Sequence, residues 1–145
     1  MKKLFVLALV VVAAVACNKD QQAVKKLEGT WNMTKMETTV DLLGTPVTID
    51  VIGLGGSGTM TFTNCKLKND EWCNVSTTFT FPDEDPEESV DLYRVTGDGT
   101  MLEVKESDTS STITAMTIIE LTKEDLKVTF TDADLGDVEA ELKKQ

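Results

Sequence analysis

The sequence of 145 residues contains no histidine and only one arginine, Arg94. Without histidine, the chain cannot build Ser-His-Asp or Cys-His nucleophile systems, histidine general bases or His-ligated zinc sites. Only Arg94 could bind a phosphate through bidentate guanidinium hydrogen bonds, which disfavours nucleotide binding. Hydrolysis by paired carboxylates is the one enzyme class left open, and no sequence feature singles out two of them. We therefore expect no catalytic residue, no cofactor and no enzyme activity.

Positive charge is also scarce, with 14 lysine and arginine residues against 25 aspartate and glutamate residues and a formal net charge of −11. Because nucleic acids are bound through clustered Lys and Arg, so acidic a chain excludes them as partners. Two acidic runs, 82–88 and 132–137, lack the spacing of a calcium-binding loop, and we interpret them as solvated turns. We expect no metal site.

The N-terminus has the three parts of a secretory signal. Lys2 and Lys3 precede an uncharged apolar run of 13 residues, Leu4 to Ala16, which ends in small residues directly before Cys17. A bilayer needs about 20 apolar residues, so this run is too short for a membrane helix. Removal of residues 1–16 leaves 129 residues with 12 basic and 25 acidic side chains, a net charge of −13. One domain of this length can bury a substantial core.

The end of this segment, Ala14 to Cys17, resembles the lipobox of bacterial lipoproteins. The resemblance implies that residues 1–16 are a lipoprotein signal peptide and that the Cys17 thiol receives diacylglycerol. Residues 17–26 would form a tether and short helix. Several acyl chains hold a protein firmly on a membrane, whereas one chain binds marginally. Asn18 and the following residues resemble those of Bacteroidetes lipoproteins anchored in the outer membrane, facing the periplasm or the cell surface. The alternative is an ordinary secretory signal followed by a chance cysteine.

The remaining chain alternates apolar and polar residues with a period of two, which predicts strands that are half buried. Residues 30–40 and 46–52 show the alternation, and so do three later segments. Within residues 113–121 the pattern favours Ile113, Ala115, Ile119 and Leu121 on the buried face. Turn residues separate the segments, at 43–46, 53–58, 68–70, 82–88, 97–99, 122–125 and 132–137. The helical candidate is residues 20–28. The fold class is all-β, with eight or nine antiparallel strands in a small up-and-down barrel.

Gly29 and Trp31 open the first long strand after the short helical segment, and a meander of hairpins follows. This layout resembles the lipocalin family, part of the calycin barrels, and the pattern from Ile118 to Leu126 is similar to that of lipocalin-like domains on Bacteroidetes lipoproteins. The resemblance implies a barrel over residues 27–145 whose closed end is covered by Trp31. The chain departs from lipocalins by lacking their Thr-Asp-Tyr motif. It also has Lys143 and Lys144 where an arginine usually stacks on the tryptophan.

A barrel of eight strands is wide enough either to fill with side chains or to hold one small ligand. Small apolar or amphipathic molecules are therefore the expected ligand class. The alternative is a packed barrel that acts as a structural or protein-interaction module on the cell envelope. The candidate ligand-lining residues are Met33, Phe62, Phe79, Phe81, Tyr93, Val104 and Phe130.

Cys65 and Cys73 are spaced for a disulfide across a hairpin centred on Asn69. Exported chains commonly oxidise such pairs. That register pairs Phe62 with Ser76, which puts the buried faces of the two strands out of phase unless one strand carries a bulge. We predict the disulfide together with a bulge between it and the far ends of the strands. Two free thiols, or a thiol metal site, are the alternatives.

Overall fold

The computed structural model describes residues 19–65 and 71–145. The predicted signal peptide, Cys17 and the hairpin tip around Asn69 lie outside the described residues. No helix in the described ranges is long and apolar enough to span a membrane. The elements are α1 (Lys19–Leu27), β1 (Gly29–Leu42), β2 (Thr45–Asp50), β3 (Ser57–Phe62), β4 (Cys73–Thr80), β5 (Glu87–Thr96), β6 (Met101–Lys105), β7 (Thr114–Leu121), β8 (Asp125–Asp132) and β9 (Gly136–Lys144).

The strands form a closed antiparallel barrel, which confirms the predicted fold class. The order is β2-β1-β3-β4-β5-β6-β7-β8-β9, and β1 also pairs with β9 to close the cylinder. Eight strands make up the barrel, and β2 is an additional strand. Each hairpin joins neighbours in the sequence, so the barrel is of the up-and-down type. The predicted helix is present as α1, which begins one residue earlier than the sequence suggested.

Strand β1 is long because it pairs with three strands. One side of β1 follows β9, from Trp31 opposite Lys144 to Thr39 opposite Asp137. The other side pairs first with β3 and then, past a gap, with β2. Strands β2 and β3 therefore lie end to end along the same side of β1, separated by the turn at residues 51–56. Strand β2 pairs with residues 37–42 of β1, and the last three of these lie past Thr39, where the pairing with β9 ends.

Two irregularities set which side chains face inward. A register shift lies between Met33 and Lys35 in β1, and another lies between Ile118 and Glu120 in β7. The expected buried face of β7 was wrong up to Ile119, which sits at this shift and is 56% exposed, whereas Leu121 after the shift packs against the core as expected. The inward residues before it are Thr114, Met116 and Ile118, in phase with Leu102 and Val128 on the neighbouring strands. Ile113 and Ala115 are exposed.

Trp31 fills one end of the barrel, named here the closed end. The ring is fully buried, and its Nε1 donates a hydrogen bond of 2.6 Å to the carbonyl oxygen of Leu27 in α1. The Lys144 Nζ lies 5.2 Å from the ring centroid, so the lysine covers the tryptophan. Gly29 has a φ of +115°, and a Cβ there would lie 2.9 Å from the Lys144 Cε. Gly29 is therefore needed both for its backbone conformation and for the lysine that covers the tryptophan.

Helix α1 lies across the closed end and is bonded to three connections there. Asp20 accepts a hydrogen bond of 2.6 Å from the Gly99 amide in the β5–β6 connection. Gln21 donates to the carbonyl oxygen of Cys65, after β3, and Lys26 donates to that of Leu121, at the end of β7. The helix buries Ala23, Val24 and Leu27 against the barrel. A nine-residue helix is unstable alone, so these contacts hold it in place.

The structure confirms the disulfide between Cys65 and Cys73, whose Cα atoms are 5.8 Å apart. The ladder of β3 and β4 is regular, and it pairs Phe62 with Val75, so both fall on the buried face. The amide of Thr63 still follows this register, donating to residue 74. The one-residue offset that we assigned to a bulge therefore falls after Thr63, beyond the paired strands. The two strands keep their buried faces in phase.

The two tryptophans provide a matched test of the closed end. We expect Trp31→Phe to lower the free energy of unfolding by about 2–4 kcal/mol, because it leaves a cavity and an unbonded Leu27 carbonyl. Trp72, half-buried on the outside of the barrel, contacts Arg94 and Lys105. Trp72→Phe should cost less than about 1 kcal/mol. Urea unfolding of the two variants measures both values, and equal losses would contradict the assigned role of Trp31.

Candidate functional site

The interior of the barrel divides into two halves that differ in exposure. The half next to α1 contains the large side chains that are fully buried, among them Trp31, Phe62, Tyr93 and Leu102. The ring of Phe62 meets that of Tyr93 edge to face, with centroids 5.0 Å apart. Side chains packed at this density leave little room for a ligand. The closed end is a structural core.

The other half of the interior, named here the far end, is apolar but less completely covered. Met36, Val51 and Val138 are buried there. Around them lie side chains that are only partly buried, namely Met33, Ile52, Phe79, Phe81, Phe130 and Leu135. The rings of Phe79 and Phe81 meet edge to face, with centroids 4.7 Å apart. Partly exposed apolar side chains inside a barrel are the surface that a small apolar molecule would cover.

The seven candidate ligand-lining residues are split between these halves. Phe62 and Tyr93 belong to the closed-end core and are 1% and 0% exposed. Val104 is partly buried and packs against that core, while Met33 contacts both clusters. Phe79, Phe81 and Phe130 lie together at the far end. The structure therefore brings four of the seven, Met33, Phe79, Phe81 and Phe130, to the partly exposed part of the interior.

Strand β5 adds a polar wall to the same interior. Asp91 pairs with the fully buried Val75, and Glu87 pairs with Phe79, so both carboxylates stand on the inward face of the sheet. Ser89 lies between them and donates a hydrogen bond of 2.7 Å to Asp91. Asp91 is half-buried, whereas Glu87 is exposed at the rim. The inward face of β5 thus places the carboxylates of Asp91 and Glu87 next to Val75 and Phe79 of β4.

Sequence reasoning missed Met36, and it did not single out Asp91. The shift in β1 places Met36 on the inward face, out of phase with Met33 by simple alternation. Val51 was assigned to a strand, but it begins the turn where its amide still bonds to Met36, at 2.8 Å. Asp91 could have been found, because it lies two residues before Tyr93 and therefore on the same face of the strand.

Three concave regions occur on the outside of the barrel, with volumes of about 570, 390 and 290 Å³. The largest crosses β8, β9, β1 and β2 and is lined mainly by outward threonine and acidic side chains, including Thr39, Thr48, Thr129 and Glu139. Within residues 19–65 and 71–145, no three His, Cys, Asp or Glu side chains are grouped so that they could hold a metal ion.

Arg94 is engaged in a cluster on the outer face. Its Nε lies 2.5 Å from an oxygen of Glu103, and its guanidinium carbon lies 4.6 Å from the centroid of the Trp72 ring. The Lys105 Nζ lies 4.4 Å from the same centroid. These contacts fix Trp72 beside the disulfide, since Cys73 is the next residue. The only arginine of the chain therefore stabilises the sheet surface next to residues 71–73.

The Tyr93 hydroxyl shows how strongly the closed end is desolvated. It donates a hydrogen bond of 2.9 Å to the carbonyl oxygen of Thr63. Burial raises the pKa of Tyr93 to about 12, because the phenolate would lose its hydration, and the negative charge of Glu28 adds to the shift. Tyr93 is thus a neutral, hydrogen-bonded part of the core.

No family model matches the chain, and no curated protein matches it. Two designed proteins of known structure are similar in fold. A redesigned β-barrel aligns with a TM-score of 0.55 and 17% identity over 85% of this chain and 95% of its own. A de novo designed fluorescence-activating β-barrel aligns with a TM-score of 0.53 and 16% identity over 85% of this chain and 97% of its own. At such low identity, the likeness supports the small closed barrel alone.

The single tyrosine makes the closed-end core measurable by titration. We expect the tyrosinate absorbance to appear near pH 12 in the folded protein rather than near pH 10. The raised pKa stabilises the folded state below pH 10, and this share, about 2–3 kcal/mol, is lost as the pH rises toward 12. Tyr93→Phe should lose less stability across this range. A midpoint near pH 10 in folded protein would contradict the burial of Tyr93.

Proposed function

We propose that this chain is a lipid-anchored, lipocalin-like protein of the bacterial outer membrane that binds a small apolar or amphipathic molecule inside its barrel. The observation that carries the proposal is the difference between the two halves of the interior. Side chains fill the closed end, whereas Met33, Phe79, Phe81 and Phe130 at the far end stay partly exposed. Apolar surface of this kind favours burial against a ligand.

The polar wall refines the class of ligand. Asp91 faces the interior, and within the described strands the inward residue that carries a positive charge is Lys144, at the closed end. An amphipathic molecule with a cationic or hydrogen-bond-donating head would place its head at Asp91 and its apolar part against Phe79 and Phe130. An anionic head would meet Asp91 without a compensating cation. A binder of this kind needs no catalytic group.

The membrane anchor rests on the N-terminal sequence. The lipobox-like segment from Ala14 to Cys17 supports lipid attachment, and α1 begins two residues later. Because α1 covers the closed end, the anchor would leave the far end of the barrel directed away from the attachment point. The resemblance to Bacteroidetes lipoproteins supports the outer membrane, on either face.

A second candidate is an interaction module on the envelope whose barrel binds no small molecule. The fully packed closed end favours it, as do exposed leucines at the far end, Leu42, Leu43 and Leu54, which are 56%, 105% and 67% exposed. In that case the barrel acts as a rigid support for its connections, and a protein partner covers these leucines.

Ligand binding is tested with residues 18–145, which contain every described helix and strand. Native mass spectrometry with dodecylamine and dodecanoate compares two probes of equal chain length. We expect a one-to-one complex with dodecylamine that is at least tenfold tighter than that with dodecanoate, because only the amine can pair with Asp91. Asp91→Asn should remove this preference while the fold, followed by circular dichroism, is kept.

The apolar wall has its own matched pair of variants. Phe79→Glu should abolish the dodecylamine complex, whereas Ile119→Glu, on the outside of β7, should leave it unchanged. A complex that survives Phe79→Glu, or that Ile119→Glu also abolishes, would place binding outside the barrel. The absence of any complex with the folded chain would favour the interaction module.

Lipid attachment is tested with the full chain in a bacterial host fed a labelled fatty acid. We expect label in the wild-type protein and none in Cys17→Ser, because the thiol is the acyl acceptor. Cys65→Ala serves as the control, since it removes another cysteine and should keep the label. An unlabelled wild-type protein that is nevertheless processed would favour the ordinary secretory signal.

A further inference from the structure

Strand β2 has one side without a neighbouring strand. It pairs with β1 on one side and stands at the end of the described sheet order. Strands β2 and β3 lie end to end on the same side of β1. Strand β4 pairs with β3 and ends at Thr80, opposite the first residue of β3, Ser57, so it does not extend alongside β2. No described strand therefore reaches the other side of β2. An unpaired edge of this kind can bind another strand.

The hairpin determines which backbone groups face that free edge. Leu42 and Thr45 close a two-residue turn, and such a pair exchanges hydrogen bonds. Because the direction alternates along a strand, the backbone N–H and C=O groups of residues 45, 47 and 49 point toward β1. Those of residues 46, 48 and 50 point toward the free edge. The hydrogen bond from the Val51 amide to Met36 fits this phase.

Few of these edge groups are available to a partner. Pro46 has no N–H, and the carbonyl oxygen of Asp50 already accepts a bond of 3.1 Å from the Leu54 amide. The free edge therefore presents the N–H and C=O of Thr48, the N–H of Asp50 and the C=O of Pro46. This is two donors and two acceptors.

From this pattern we infer that two copies of the chain associate through β2, antiparallel, with a two-fold axis at Thr48. In this register each Thr48 N–H meets the Thr48 carbonyl of the other copy. Each Asp50 N–H meets the other Pro46 carbonyl. Pro46, which has no N–H, lies opposite the Asp50 carbonyl of the other copy. That carbonyl needs no donor from Pro46, because it already accepts a hydrogen bond from the Leu54 amide. All four donors and four acceptors of the combined edge are thus satisfied, and Val47 faces Ile49 of the second copy on the inner side.

The charge distribution favours a second copy at this edge. Residues 42–65 carry one charge, Asp50, in a chain with 39 charged residues. Across the proposed axis the two Asp50 residues are separated by four residues along the strands, about 14 Å, which exceeds the Debye length of about 10 Å at 0.1 M salt. By contrast, the part of β5 that extends past β6 carries Glu87, Glu88 and Asp91, which protect its edge.

The exposed leucines fit the same arrangement. Leu43 is fully exposed and has a φ of +57°, a conformation that costs a residue with a branched side chain about 1 kcal/mol or more. Antiparallel pairing of β2 brings the hairpin tip of one copy beside the turn at residues 51–56 of the other. Leu43 then lies near the exposed Leu54 of its partner. Association explains why leucine occupies a position that favours Asn or Gly.

Sedimentation of residues 18–145 tests the dimer without reference to any ligand. Short edge pairing predicts a weak dimer, so protein is measured up to about 0.3 mM, where a dissociation constant of about 0.1 mM gives substantial dimer. The dissociation constant should fall as salt rises, because the two acidic barrels repel each other. A monomer throughout this range at high salt would overturn the proposal.

Two lysine variants separate the edge from general surface effects. Thr48→Lys places two lysines at the axis with their Cα atoms about 5.5 Å apart on the same face, and it should raise the dissociation constant at least tenfold, although it makes the chain less acidic. Thr39→Lys lies beside Thr48 on β1, on the same outward face and away from the edge, and should leave the constant unchanged or lower. Equal weakening by both variants would overturn the proposed edge.

Cysteine variants test the register. Thr48→Cys should form a disulfide between copies in a glutathione buffer, because the two Cα atoms face each other at about 5.5 Å. Pro46→Cys lies on the same edge and should not, because its counterparts are about 14 Å apart. Cross-linking of both variants, or of neither, would contradict an axis at Thr48.

The cost at Leu43 supplies an independent readout. Leu43→Asn should raise the thermal midpoint of the monomer, since Asn tolerates the left-handed conformation, and should weaken association severalfold. A variant that raises the midpoint and leaves the dissociation constant unchanged would show that Leu43 has no part in the interface.

Discussion

Pairing between β1 and β9 is the constraint on which the rest of the molecule depends. It turns a meander of hairpins into a cylinder, pairs the edge of β9 that would otherwise be free, and brings the last strand beside Trp31. Because Lys144 is in that strand, closure also places its ammonium group over the tryptophan and its carbon chain against Gly29. The Gly-x-Trp segment is thus a requirement of closure at this end, where the chain begins and ends its barrel.

Closure at one end also explains the difference between the two halves of the interior. Helix α1 and Trp31 cover the closed end, so large side chains there lose all contact with water. At the far end the connections are irregular, and the inward positions of β5 carry Asp91 and Glu87 instead of apolar residues. A carboxylate on an inward face cannot be packed against apolar neighbours without cost, so this half stays partly hydrated. Stability and access are divided between opposite ends of the barrel.

Alternation in the sequence was sufficient for the fold class, the helix at its start and the disulfide, since each depends on local pattern and spacing. It was insufficient where the backbone leaves that period. With the shift at Ile119, Met116 rather than Ala115 lies on the buried face of β7. With the shift in β1, Met36 lies on the buried face of that strand. Four of the seven predicted lining residues reach the partly exposed far end, but alternation cannot tell that Phe62, Tyr93 and Val104 belong to the core next to the helix. Alternation predicts which face of a strand a residue occupies. The position of that residue along the barrel axis depends on strand register, which alternation does not determine.

Strand β2 connects the interior with the outside of the molecule. Val47 and Ile49 face the far end of the barrel, while the alternate residues place their backbone groups on the free edge. Residues on the inner face and residues of the proposed contact with a second copy therefore alternate along one strand of six residues. A strand added at the free edge would restrict the motion of β2 and with it the wall formed by Val47 and Ile49. Ligand binding and dimer formation would each order β2. Whichever occurs first lowers the entropy cost of the other, so a ligand that orders this wall must bind the dimer and the monomer with different affinity.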